Sequence, residues 1–185
     1  LYPETVNYVK NGSFEAFAAG NFANWTKVGD VVIAQVTSGV VEGDYAAQVT
    51  CPTGGNGLLI QDIDLVNGQS YRVSVWVTQL SGAATLAVSD KGGVTNLQTA
   101  VAAGASLQRL SLTHTAASGG IRVLLYNQIA AGSAYFDAVQ VEDGTTTTDW
   151  VPSIGSFIVE STAATIPSVH TLAWDSDAAG EGFDN

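Results

Sequence analysis

Short runs in which apolar and polar residues alternate organise this chain, and each run ends in a cluster of turn-forming residues. In "YRVSVWVTQL" (71–80), Tyr71, Val73, Val75 and Val77 share one face, while Arg72, Ser74, Trp76 and Thr78 share the other. "LQRLSLTHT" (107–115) sets Leu110 and Leu112 against Arg109, Ser111 and Thr113. Successive side chains of a strand point to opposite faces, so this period marks strands with one buried side. "IRVLLYNQI" (121–129) is apolar on both faces at its centre, as a strand between two layers would be. Further strands are expected at 31–37, 45–51, 57–65, 84–89, 95–101 and 134–142.

The gaps carry "EGD" (42–44), "PTGGNG" (52–57), "VNGQ" (66–69), "DKGG" (90–93), "ASGG" (117–120) and "AAGS" (130–133). Glycine reaches positive φ without steric cost, and Asn or Asp tolerates it, so these are turns. Strands at such spacing, joined by such turns, predict an all-β fold, an antiparallel β-sandwich or jelly roll. Only "SFEAFAAG" (13–20) suggests a helix, of one turn or two, capped by Ser13 and stopped at Gly20. Past "TTTTDWVPS" (145–153), Pro152 breaks the pattern. The expected division is a jelly roll over 1–153 and an extension over 154–185 that packs on its own domain or docks on a neighbouring subunit.

Composition narrows the partners. The chain has 185 residues, 46% of them hydrophobic, enough for one well-buried domain. Six Lys and Arg against seventeen Asp and Glu give a net charge of −11. That charge repels polyanions, which argues against nucleic acid and against an anionic membrane as partners, and suits cation binding. No apolar run is long enough to span a bilayer. Cys51 is the only cysteine, so an intrachain disulfide and a cysteine-based zinc cluster are excluded. The sequence contains no Met and opens on Leu1, which points to a processed product or a segment of something longer.

Catalytic constellations are weak. No G-x-S-x-G elbow is present; His114 shares parity with Leu110 and Leu112 and belongs at a core edge, while His170 lies in the extension. Glycosidases need two facing carboxylates, but Asp62 and Asp64 in "LLIQDIDLV" read as a solvated strand face opposite Leu59, Ile63 and Leu65. The Gly-rich segments lack a Walker lysine, and "DSDAAG" (175–180) ends before an EF-hand loop could close. "NGS" (11–13) and "NWT" (24–26) match glycosylation sequons. The chain is read as having no catalytic activity.

Aromatic residues carry more. Sugars present C–H faces that stack on indole and phenol rings, and Trp76 points away from its valine neighbours beside Ser74 and Thr78. Trp25 sits in a loop-like segment, and Tyr126 shares parity with Arg122. Large aromatic residues in a two-layer sandwich also serve as packing.

The order "NGSFEA", "NWTKVG", "EGDYAAQV", "LLIQDIDLVNGQSYRVSVWV" and "YFDAVQVEDG" leading into "TTTTDWVPS" resembles the galactose-binding-like jelly roll of carbohydrate-binding modules, particularly the family 4, 9, 16 and 22 group. Related modules occur in phage tail and virion proteins. The resemblance spans about residues 7–153. It implies a non-catalytic glycan-binding module of an extracellular or virion surface protein, with Trp76, Tyr126 and Gln61 on the sugar-binding face and Trp25 at the loop tips. The alternative it leaves open is a structural assembly subunit (a phage decoration, fibre or tail protein, or another filament component) that meets other copies through 154–185.

The resemblance also implies a structural calcium ion, Ca2+, held by Glu15, Asp137 and a backbone carbonyl near Gly43 or Asp44. Carboxylate and carbonyl oxygens suit that hard cation. Without a metal, Asp137 would be satisfied by backbone N–H groups or a tyrosine. Asp137 has the parity of Val139 and Val141, which places its carboxylate at the inner edge of the strand, facing the Glu15 segment.

Overall fold

A computed structural model describes residues 5–52, 57–93, 95, 97–128 and 131–152. The predicted extension over 154–185 lies outside the described residues. The strands are β1 (Phe17–Ala18), β2 (Asn21–Phe22), β3 (Thr26–Val28), β4 (Val32–Val36), β5 (Ala46–Cys51) and β6 (Leu58–Asp64). They continue with β7 (Ser70–Ser81), β8 (Ala84–Asp90), β9 (Gln98–Val101), β10 (Gln108–Thr115), β11 (Gly120–Asn127) and β12 (Gly132–Asp143). One five-stranded sheet runs β10-β7-β12-β5-β4 and the other β3-β6-β11-β8-β9, with every ladder antiparallel.

The alternation explains the layering. Val73, Val75 and Val77 of β7, Leu110 and Leu112 of β10, Phe136 of β12, and Leu86 and Val88 of β8 meet Val123 and Leu125 of β11 in one buried cluster between the sheets. Each such side chain removed from water contributes about 1.5–3 kcal/mol. His114 lies at the edge of this core, 8% exposed, as its parity predicts. Asp62 and Asp64 face outward and pair with Arg122 and Lys91.

Residues 13–20 are not helical. Phe17 pairs with Phe22 and Ala18 with Asn21, and the turn uses Ala19 (φ 50) and Gly20 (φ 77). Two successive positive-φ residues make the tight hairpin whose twist matches its strands. The apolar spacing that suggests a helix instead serves ring packing: Phe14 and Phe17 both meet Phe22.

The N-terminal segment takes over from β5 beside β12. β5 pairs with β12 only as far as Phe136↔Ala47. Beyond it, Tyr8 N–H donates to the Val141 carbonyl and Val139 N–H to that of Gly12. Buried Asn7 fastens this join: its Nδ2 donates to the carbonyls of Val139 and Val151, and its Oδ1 accepts from the N–H groups of Val9 and Val141. Asp137 stands at the point where the neighbouring strand changes.

The register of β12 against β7 shifts between Asp137 and Gln140, with Ala138 at φ 49. A β-bulge places two residues opposite one and reverses the side-chain parity beyond it. Asp137 therefore does not face the same way as Val139 and Val141, contrary to their shared parity in the sequence. Asp137 pairs with Trp76 and shares the outward face with Gln140 and Glu142, while Val139 and Val141 turn into the core.

Candidate functional site

The outward face of the β10-β7-β12-β5-β4 sheet is polar and structured by two overlying segments. Cross-strand pairing aligns Arg109, Trp76 and Asp137 in one row across the sheet. The next row holds Thr78, Tyr135, Gln48 and Ala34. Trp76 is partly exposed, as its position opposite the valines predicts.

Residues 147–151 cross this face as a strap. Arg72 donates from Nε to Thr147 Oγ1 (2.7 Å), and Arg109 from Nη1 to the Thr148 carbonyl (2.7 Å) and Nη2 to Ser74 Oγ (3.0 Å). Thr148 N–H and its hydroxyl both donate to Glu142, and Val151 N–H donates to Gln140 Oε1 (2.9 Å). The cover is close: outward-facing Ser74 and Glu142 are 1% exposed and Gln140 is 0% exposed. Burying such groups is tolerable only because each finds a partner.

The β4–β5 connection, 37–45, covers a second part. The Gly39 backbone rests on Tyr135: a Cβ there would lie 2.7 Å from the Tyr135 Cβ. Val41 and Glu42 donate their N–H groups to Asp137 Oδ2 at 2.6 and 2.9 Å, and Ala138 N–H donates to Oδ1 at 2.6 Å. Asp44 and Tyr45 N–H groups both donate to Glu15 Oε1 at 3.1 Å. Gly43 allows this approach, since a Cβ would lie 2.3 Å from that oxygen. The same short loop thus binds both carboxylates, one from each end of the domain.

Burial dominates the electrostatics. It pushes Asp137 up to about 7 against the lowering pull of its three N–H donors, and the charge of Glu15 pushes in the same direction. Glu15 is also raised, chiefly by burial and further by Asp44, while the Tyr45 and Asp44 amides oppose the rise.

The sugar-contact nominees do not converge. Trp25 is 6% exposed, tilted against Phe14 at 5.2 Å between ring centroids, and its indole N–H donates to the Asn11 carbonyl. It is a core residue rather than a loop-tip platform, because the turn after Asn24 folds it inward. Gln61 points into the sandwich with Leu59 and Ile63, where its amide accepts from Lys10 N–H and donates to the Lys10 carbonyl, both at 2.8 Å. Tyr126 lies on the outward face of the other sheet, 6% exposed, with Ile60, Ala87 and Leu124. Of the four nominees, only Trp76 occupies an accessible polar face. Arg72, Arg109, Gln140 and Glu142 also shape this face; the alternation that sets them on the same face as Ser74 and Trp76 is the signal that could have found them.

Two five-stranded antiparallel sheets packed on one buried cluster define a jelly-roll sandwich. The chain belongs to the carbohydrate binding domain family whose profile matches residues 6–129, well over half its length. A comparison with curated proteins found no match. Among solved structures it is similar to a family 61 carbohydrate-binding module in complex with β-1,4-galactotriose, at 25% identity and a TM-score of 0.56, covering 75% of this chain and 99% of that one. It is also similar to a xylan-binding domain of family 22, at 16% identity and a TM-score of 0.59, covering 79% and 99%. The enzymatically active domain of tailspike protein 4 from bacteriophage CBA120 shares the fold at 21% identity and a TM-score of 0.52, covering 74% of this chain and 21% of that one.

Proposed function

We propose that this protein is a non-catalytic glycan-binding module of an extracellular or virion surface protein, with Trp76 as its stacking platform. The observation that carries this reading is the placement of Trp76: a partly exposed indole among Thr78, Arg109 and Ser74, on the outward face of a carbohydrate-binding-domain sheet. An indole offers apolar area to sugar C–H faces while neighbouring hydroxyl and guanidinium groups set orientation. Titration calorimetry with β-1,4-galactan and xylan tests it. Heat of binding that disappears in Trp76→Ala supports the reading, and a Trp76→Ala protein that binds as well as the parent overturns it.

A structural calcium ion belongs to the same proposal. Among the described residues no three Asp, Glu, His or Cys side chains converge on a metal position. The proposed donor set is instead Glu15 and Asp137, with a backbone carbonyl near Gly43 or Asp44. Carboxylate and carbonyl oxygens are the donors a hard cation takes, and one loop already ties both carboxylates. A bound ion would supply charge compensation there. Glu15 and Asp137 would hold it, while the 41–45 amides orient both carboxylates.

A further inference from the structure

We infer that the polar face around Trp76 is closed at one end, so that the module takes the terminus of a glycan chain rather than a stretch of its interior. The inference rests on the glycan reading and specifies what that site accepts.

Along the row Arg109–Trp76–Asp137, the indole is partly exposed but Asp137 is 0% exposed, with the Val41 and Glu42 amides seated on its carboxylate. The parallel row is stopped at the same strand, because Gly39 rests on Tyr135 before Gln48 is reached. A ligand lying across the strands from the β10 edge therefore meets residues 39–42 at β12 on either row. The strap forms the long wall beside it, with Arg109 bound to the Thr148 carbonyl. The remaining open side is marked by Leu80 at 46% and Leu107 at 49% exposure, both with the outward parity of Trp76 and Arg109.

An interior segment lying across the strands must leave the site in both directions, and residues 39–42 close one of them. A chain end can stop against a wall. Neighbouring strands lie about 4.8 Å apart, so the path from β10 to β12 is roughly 10 Å, room for about two pyranose rings. The wall is anchored rather than incidental. Asp137 ties the loop to β12, and Glu15 ties it to the N-terminal segment.

Two measurements on the full chain test this. Calorimetry with β-1,4-galacto- and xylo-oligosaccharides from disaccharide to hexasaccharide should show affinity levelling off, with less than about a twofold gain beyond the trisaccharide. Hydrogen exchange should show the Val41 and Glu42 amides strongly protected. Affinity that climbs about tenfold or more from trisaccharide to hexasaccharide overturns the inference and leaves the glycan reading intact. The same holds if those amides exchange at the rate of a free peptide while glycan binds. Absence of binding at every length, with the amides protected, overturns the glycan reading and the closed end with it.

Discussion

Asp137 stands directly opposite Trp76 in the β12–β7 ladder, yet one side chain is sealed and the other is open. The difference lies in what covers each: the 41–42 amides occupy the carboxylate, and neither strap nor loop closes over the whole indole. The two tryptophans nominated for sugar contact should therefore behave oppositely. Trp76→Ala should lower glycan affinity at least about tenfold while leaving the midpoint of thermal unfolding nearly unchanged. Trp25→Ala should cost about 3–5 kcal/mol, because it empties a core position against Phe14 and removes the indole bond to the Asn11 carbonyl. Calorimetry and thermal melts on the two variants separate these outcomes; a Trp25→Ala protein of parental stability would contradict the packing described.

Gly39 and Gly68 have nearly the same backbone, at φ 72 and φ 80, but different surroundings. A Cβ at Gly68 meets nothing within 4 Å, whereas one at Gly39 strikes the Tyr135 ring and its Cβ. Gly68→Ala should cost only the left-handed penalty, about 1–2 kcal/mol. Gly39→Ala should cost more than that and should also speed exchange of the Val41 and Glu42 amides. Equal losses of stability would mean the loop does not bear on Tyr135.

Much of the fold was legible in the sequence because period-two alternation reports directly which side of a strand is buried. The valines of β7 and the leucines of β10 lie where their parity puts them. What alternation cannot show is a change of phase. The bulge at Ala138 is one such change, and it moved Asp137 from the expected inner edge to the outward face. The family resemblance joins Asp137 and Glu15 through calcium; in the structure one loop serves both, with the Val41 and Glu42 amides on Asp137 and the Asp44 and Tyr45 amides on Glu15. Trp25 and Gln61 were misplaced for other reasons. The placement of Trp25 is set by its long-range bond to the Asn11 carbonyl, which no local period encodes, whereas the inward direction of Gln61 was legible in its shared parity with Leu59 and Ile63.

The strap should depend on Thr148 more than on its neighbours. Its N–H and hydroxyl both serve Glu142, a carboxylate that is 1% exposed, and the hydroxyl also accepts from Gln140. Thr148→Val keeps the shape and removes the hydroxyl, leaving a buried carboxyl group short of a donor at a cost of about 1–3 kcal/mol. Thr147→Val loses a single bond from Arg72, which retains Ser111 and Thr113, so its cost should be smaller. Urea unfolding of the two variants orders them; the reverse order would show that Glu142 does not anchor the strap.

The raised pKa of Asp137 makes stability depend on pH with a definite sign. In the unfolded chain an aspartate titrates near 3.9, and in the fold Asp137 is pushed up to about 7. The folded protein therefore holds this proton more tightly. Its contribution to stability is fully present below about pH 4 and is lost as pH rises through 7. In chelator, the unfolding free energy should fall between pH 5 and pH 7.5, by at most on the order of a few kcal/mol from this group. The net charge of −11 acts in the same direction, so the assay needs a variant that isolates the residue. Asp137→Asn can still accept the Val41 and Glu42 amides through its carbonyl oxygen but cannot ionise, and its stability should vary less over the same range. Adding millimolar calcium should flatten the parental curve, because a cation favours the ionised carboxylate, and should leave the Asp137→Asn curve where it was. A parental protein whose melting temperature rises with pH in chelator would show that Asp137 is not the strained carboxylate its burial implies.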